Sequence, residues 1–525
     1  MLYFSENFYL HRTKIYIFAL LTIGPPIQST ADTIGIIAGP DLIAPSPPYA
    51  ALVSSSDELL PLTFSGDIAT KGLIYAVSMN SSGTSIIGGE NLNGSQPAYA
   101  ALVSSSGEIT PLTIDGLPGV HGIINSVAIN SLGESIIGGR DTTGPIYAAL
   151  VPPSGSPLIP LTFSDPISAG GIINSVTIND SGTCLIGGQG YYDMQPAYLA
   201  FVSPLGIMNP VTLTGGIAIY GTIHSTSINS TGTGIFGGQD LTGSQPGYAA
   251  LVSSLGTVTP LTLTENISTN GIINSVAIND SGIGIIGGQD LTGSQPGYAA
   301  LVSSLGTVTP LALTENMSTN GIINSVAINS SGNAIIGGQD LTGSQPAYAA
   351  LVSSSGTVTP LILTGGGIST SGVIYSVAID NNGNALIGGE DLTGSNPAYA
   401  ALVTPTGTII PLTLTGDMAN NGWINSVALL KLTILPPLNL QGVQNKNNFG
   451  LLYEFYNELT WTPSPSPETI GYFIYRDNEK IATVNASTYS YQDHNRKKGV
   501  SYTYTITAIN STGAESASAQ IVISP

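Results

Sequence analysis

Cysteine is almost absent: Cys184 stands alone in 525 residues, so no intrachain disulfide can form. Cations are nearly missing from the long middle of the chain. Residues 32–430 hold 23 Asp and Glu against two cations, Lys71 and Arg140, a formal charge of −21. A surface of that sign repels nucleic acid and anionic membrane, and neither is expected as a partner of this region. Charge of either sign is scarce, at 8%, so Ser, Thr, Asn and Gly must make the surface. That composition suits an exported surface protein better than a cytosolic enzyme. After residue 31 there is no long uncharged apolar run, which leaves the mature chain without a transmembrane segment. No apolar period of 3.6 runs long enough for a helix, so the chain must fold in strands. Nucleophile elbow, phosphate loop, zinc spacing and the D-x-D-x-D-G calcium loop are all missing.

What the chain does have is a repeat. Residues 271–320 read GIINSVAINDSGIGIIGGQDLTGSQPGYAALVSSLGTVTPLALTENMSTN, and the next fifty residues copy them with few changes. One position tracks the period: Val77, Val127, Val176, Thr226, Val276, Val326, Val377 and Val427, spaced 49 to 51 residues apart. A glycine pair follows it at Gly88, Gly138, Gly187, Gly237, Gly287, Gly337 and Gly388, with a weaker eighth copy ending at Gly39. A fixed period of this length signals a solenoid, a propeller or an array.

Within one copy the sequence predicts four strands. Residues 273–279 form strand a, 283–288 strand b, 297–303 strand c and 308–313 strand d, with Asp280-Ser281-Gly282 as a tight turn. Pro310 is tolerable because strand d has a free edge. Strand c is apolar at nearly every residue, the mark of a strand buried on both faces. Four short antiparallel strands per repeat describe a propeller blade; a β-solenoid is the alternative, with coils that need fewer residues. The first copy lacks strand a and the last copy is strand a alone, residues 423–430. The expected fold is therefore all-β: an eight-bladed β-propeller of four-stranded blades, closed by one blade shared between residues 34–66 and 423–430.

Residues 1–31 read as a secretory signal. Arg12 and Lys14 flank the apolar core 15–24, and Ser29-Thr30-Ala31 is a small-x-small cleavage site. Residues 32–430 make the propeller, and 431–449, with Pro436-Pro437, a linker and first strand. Residues 450–525 complete a sandwich of ordinary domain size. Across residues 431–525 seven charges of each sign balance, and the fifty-residue period stops. Trp461, the strand 472–475 and the alternating Y-x-Y-x-I-x-A-x-N of Tyr502 to Asn510 resemble a fibronectin type III domain. That resemblance makes Tyr504 the corner tyrosine and implies a spacer or adhesion module. The repeats themselves resemble bacterial secreted and surface propellers, including some autotransporter passengers.

Candidate site residues follow from the repeat. The longer b–c and d–a loops share one end of each blade, the natural binding face. Asp141, Asp240, Asp290, Asp340 and Asp391 recur there, with Asp41 and Asn91 in register. Each Asp either caps its own loop or contributes to a weak Ca²⁺ site, the one cofactor considered; six to eight oxygens are needed and one Asp with Thr and Ser supplies few. A second ring precedes the Ser of I-N-S-V: Tyr75, Asn125, Asn174, His224, Asn274, Asn324, Tyr375 and Asn425. These either bond neighbouring inner strands or form a polar funnel for a neutral glycan, with Tyr75, Tyr375 and Trp423 stacking on sugar rings. Lone His224 reads as a satisfied polar residue.

Catalysis breaks symmetry, because reacting groups have different roles. Glu90 and Glu390 replace the common Gln, Asp193 sits in the aberrant loop 190–195, and His121, Lys71 and Arg140 are single departures. They form no recognisable constellation, and a sialidase-like site needs several arginines. A pair of carboxylates for glycoside cleavage stays open. The near-identical copies at 238–287 and 288–337 favour equivalent weak sites acting together. The expected function is an exported, secreted or surface-associated (including outer-membrane) binding or adhesion protein, a monomer without catalysis, for glycan or extracellular protein. The alternatives are a carbohydrate-active enzyme and a structural scaffold.

Overall fold

In the computed structural model the described residues are 33–524, apart from 43–45, 94–97, 115–121, 142–145, 164–166, 168–169, 192–194, 265, 315, 431–435, 465, 467–468, 478, 510–514 and 517. The expected signal segment, most of the linker before Pro436, His121 and Asp193 lie outside them.

The repeat builds eight four-stranded antiparallel sheets, the architecture of a β-propeller-like repeat. In the copy from 271, strand a is Gly271–Ile278, b Gly284–Asp290, c Gly297–Val302 and d Val308–Pro310. Strands a and b begin and end one or two residues away from the expected bounds. Strand d is only three residues long; Pro310 is its last residue, opposite Ala300, and Leu311 N still donates to Ala299 O just beyond it. Seven sheets are continuous in sequence. The eighth joins the two ends: Thr33–Pro40 pairs with Pro48–Ser54 on one side and with Ser426–Leu429 on the other. This last strand starts three residues later than expected, although Gly422 still bridges Asp41.

The core lies between sheets. Each of eight apolar clusters draws on two sheets consecutive in the chain; Ile285, Ile323, Val326 and Ile336 form one such layer. The shared sheet takes part in two. Ile36 and Ala38 pack with Ile74 and Val77, and Ile37 packs with Leu386, Ile424 and Val427. The glycine pair explains how closely the sheets approach. A Cβ on Gly287 would stand 2.6 Å from both Ile323 Cγ2 and Val326 Cγ1 of the next sheet. A Cβ on Gly288 would stand 1.9 Å from the Ile272 carbonyl oxygen of its own strand a.

The d–a connection holds an element the pattern did not predict. Short 3₁₀ turns, Asp67–Ala69, Gly216–Ala218, Asn266–Ser268 and Gly416–Ala419, each bury one apolar residue: Ile68, Ile217, Ile267 and Met418. This residue closes the end of the core, and a Cβ on Gly271 would meet Ile267 Cγ1 at 2.4 Å. A single apolar residue inside a polar loop has no periodicity by which to be recognised.

The C-terminal unit is built of two sheets. Leu438–Phe449, Leu452–Thr462 and Ser490–Arg496 form a three-stranded sheet. Glu479–Asn485, Gly471–Arg476, Tyr502–Ile509 and Ala519–Ile523 form a four-stranded one. Their shared core contains Leu459, Trp461, Tyr472, Ile474, Tyr504 and Ile506. Tyr504 is fully buried, but its hydroxyl donates to Asp493 Oδ2 at 2.6 Å and accepts from Asn457 Nδ2. The backbone contact expected of a corner tyrosine belongs to Tyr502, whose hydroxyl accepts from Lys497 N at 3.2 Å.

Candidate functional site: the two ends of the repeated sheets

Strand a carries a β-bulge at one fixed place. The register shifts between Ile273 and Ser275, leaving Asn274 as the extra residue, and the same shift recurs at Tyr75, Asn125, Asn174, His224, Asn324 and Tyr375. A bulge re-aims the side chain it adds. Here it turns each asparagine toward the next sheet. Asn125 Nδ2 donates to Ile173 O, Asn174 to Ile223 O at 2.9 Å, Asn274 to Ile323 O at 3.0 Å and Asn324 to Ile374 O at 3.0 Å. Burial keeps the imidazole of His224 below its usual protonation range. Asn425 anchors to Ala38 O through its backbone, while its side-chain oxygen is buried without a partner among the described residues. Trp423 is half-buried beside it, its backbone donating to Pro40 O.

Two further belts were missed by sequence reasoning. The serine after the bulge accepts from the valine or threonine amide of the next sheet: Val176 to Ser126, Thr226 to Ser175, Val276 to Ser225, Val326 to Ser275, Val377 to Ser325 and Val427 to Ser376. The seventh link is Val77 N to Ser426 Oγ, 3.0 Å, across 349 residues of chain. Where strand a ends, Asn130, Asn179, Asn229 and Asn279 each donate Nδ2 to the carbonyl of the next asparagine, and Asn329 donates to Asp380 O. Each Oδ1 also caps its own turn, as Asn279 does for Ile283 N. The recurrence of Ser in seven copies and of Asn in six is the signal that marks these belts.

The aspartate ring is held within its loops. Asp240, Asp290, Asp340 and Asp391 each accept from the amide and hydroxyl of the Thr two residues on, at 2.8–2.9 Å for the amides. Asp391 also accepts from Gly367 N. Asp141 is buried at the same register and Asp41 bridges Gly422. Among the described residues, no three His, Cys, Asp or Glu side chains come together as a metal-holding group.

What these loops expose is their tip. Gly243-Ser244-Gln245, Gly293-Ser294-Gln295 and Gly343-Ser344-Gln345 stand in solvent in three successive copies, and Gly394-Ser395-Asn396 repeats the form. Gln245, Gln295, Gln345 and Asn396 hold φ near +60°, a left-handed conformation that favours glycine and is rarer still before proline. Each is pinned there, because its carbonyl accepts from a glycine of the next sheet's copy, Gly271, Gly321, Gly372 or Gly422, at 3.0 Å.

Two repeats depart from the others in a linked way. The repeats with Tyr at the bulge are those with Glu in place of Gln: Tyr75 donates to Glu90 at 2.5 Å and Tyr375 to Glu390 at 3.0 Å. Burial, then the facing carboxylate, pushes both phenols up; burial also raises the Glu390 carboxyl. Arg140 lies near Tyr75, where its charge opposes that rise. Its Nη1 donates to Tyr191 at 2.8 Å, and its Nε is buried with no acceptor among the described residues. Glu90 and Arg140, read separately from the sequence, thus both act on Tyr75, whereas Lys71 stands exposed.

The turn-bearing end, opposite the expected binding face, also has concavities. A recess of about 600 Å³ lies between two sheets, lined by Asn329, Ser331, Asn333, Asn381 and Thr406. A smaller one, about 160 Å³, gathers Asn80, Asn130, Asn179, Asp180 and Asp280 from four strand ends.

The fold thus defines a β-propeller-like repeat protein with a separate C-terminal β unit. No protein family matches the chain, and no curated protein matches it in sequence. Among solved structures, Sqt1 of Chaetomium thermophilum is similar at 17% identity and a TM-score of 0.44, over 64% of this chain and 82% of that one. A puromycin hydrolase is similar at 11% and 0.44, over 78% and 61%. A fungal alcohol oxidase of the AA5 family, in complex with copper, is similar at 13% and 0.41, over 85% and 95%. Likenesses of this size carry no argument about function.

Proposed function

We propose that this is an exported, non-catalytic binding protein. Its eight blades close into a propeller through the blade shared by the two chain ends. That ring presents equivalent loop tips to a glycan or an extracellular protein, and a fibronectin type III-like domain serves as spacer or adhesion module. The observation that carries the reading is the set of exposed Gly-Ser-Gln tips, identical in three copies and locked in a backbone form that glutamine otherwise avoids. Strain kept at the same exposed position in copy after copy points to a role for the side chain. A carboxamide both donates and accepts, which suits hydroxyl-rich ligands. Several weak equivalent sites gain by avidity.

The test is a glycan-array and extracellular-matrix screen on the full chain, with and without calcium, followed by Gln245→Ala, Gln295→Ala and Gln345→Ala. The triple variant should lose about 100-fold in apparent affinity, far more than any single change. A folded protein that binds nothing, or a triple variant that binds as the parent does, removes the proposal. A second reading, a carbohydrate-active enzyme, draws support from an asymmetric group, Tyr75, Glu90, Arg140 and Tyr191. It requires turnover of a chromogenic glycoside that Glu90→Gln abolishes.

A further inference from the structure

The C-terminal unit carries a feature its own folding does not require. Leu438–Phe449 and Leu452–Thr462 pair as a hairpin, with Phe449 opposite Leu452 and Gly450 turning at φ 81°. The third strand, Ser490–Arg496, leaves this pair at Phe455, so the hairpin projects beyond the sheet as two strands. An isolated two-stranded ribbon has little stability of its own. Yet its end is apolar and bare: Phe449 is 65% exposed, Leu451 101%, Leu452 74% and Tyr453 62%.

Charge is arranged around this tip. The Lys446 ammonium stands 4.3 Å above the Tyr453 ring, and Arg496 is the cross-strand neighbour of Phe455. Exposed Lys497 and Lys498 follow, and Gln444 Nε2 ties their loop to the hairpin by donating to Lys497 O. The carboxylates at this end are already engaged. Glu454 accepts from Asn447 and meets His494, Glu458 accepts from Asn445 and Gln492, and Asp493 pairs with Arg476 and Arg496. Lys446, Lys497 and Lys498 make no ion pair among the described residues.

We propose that this hairpin tip is an insertion device for an anionic lipid surface, which attaches the C-terminal unit to a membrane. Apolar side chains occur on both strands of a free end, a form suited to a medium that surrounds it rather than to a groove that meets one side. Tyr453 and Phe455, ring centroids 5.7 Å apart, supply the aromatic band that favours the headgroup level. From Lys446 to the turn is about 10 Å of strand, the depth to which interfacial segments sink. The lysines then lie among the headgroups, where they add attraction to anionic lipid. The acidic repeat, repelled by the same surface, stays outside.

The experiment is cosedimentation of the full chain with phosphatidylcholine vesicles, with and without phosphatidylglycerol. Binding is expected on the mixed vesicles and should weaken with added salt. Leu451→Asp combined with Leu452→Asp should abolish it. Lys497→Gln with Lys498→Gln should reduce it about 30-fold on mixed vesicles and leave the residual apolar binding unchanged. All four positions are exposed, and near-ultraviolet circular dichroism verifies that each variant is folded. No binding of the parent to mixed vesicles overturns the proposal, as does binding that survives the leucine pair. A parent dimer dissolved by that pair would show instead that the tip meets a second copy.

Discussion

Ser426→Ala tests ring closure at its seam. Ser426 sits on the last strand and accepts from Val77 N at 3.0 Å, a partner on the first complete sheet. Removing the hydroxyl leaves a half-buried amide without its acceptor, which costs about 1–2 kcal/mol. In a repeat of this size global melting dilutes such an effect, so the assay is hydrogen exchange of the peptide covering Gly72–Met79. The loss predicts exchange about 5–30-fold faster there. Ser275→Ala is the matched control, because Ser275 accepts from Val326 N at 3.1 Å within the continuous part of the chain. If Ser275→Ala speeds exchange in Gly321–Ile328 while Ser426→Ala leaves Gly72–Met79 untouched, the seam is not formed in solution and the closed ring fails.

Further outcomes follow from the same contacts. Gly288→Ala sets a Cβ 1.9 Å from a backbone oxygen and should cost more than about 3 kcal/mol, whereas Gly293→Ala, with open space around it, should cost about 1 kcal/mol for its left-handed backbone; chemical denaturation ranks them. Asp380 stands where six repeats have Asn, and burial raises its carboxyl above the ordinary 3.8. The folded state therefore holds that proton more tightly than the unfolded one. Stability falls as pH rises from 3.8 through the raised value, and the deficit persists above it. Asp380→Asn should then melt higher than the parent at neutral pH, with the difference vanishing below 3.8; an equal difference at all pH values would refute this origin. Tyr375→Phe leaves the buried Glu390 without its donor and should lower the melting temperature, while Tyr375→Phe with Glu390→Gln should restore it.

Much of the repeat was legible, and the limit lies where the information leaves the local pattern. Val276 and Gly287 mark the period because each fills or vacates space between sheets, and that demand repeats with every copy. Asn274 also repeats, yet its direction depends on a bulge, a matter of hydrogen-bond register that apolar alternation does not encode. Asp290 read first as a loop cap, with a calcium ligand as the alternative; Thr292, two residues on, takes its Oδ1. The Tyr–Glu pairs were visible as substitutions at two separate positions. Only the fold shows that one compensates the other, a phenol needing an acceptor where asparagine had bonded the next strand. The plug residue Ile267 and the bare tip at Leu451 escaped because each is a few apolar side chains without a period.

The shared sheet has a mechanical consequence. The chain leaves the repeat through Ser426–Leu429, and the C-terminal unit is tethered beyond it. A load between a ligand held by the repeat and an anchor at the C-terminal unit must pass through those four residues. Their pairing with Gly35, Ile36, Ile37 and Ala38, and the Val77 latch beside them, set the force at which the assembly yields. The clasp that fastens the two ends is thus also the part through which a tethered molecule is pulled open.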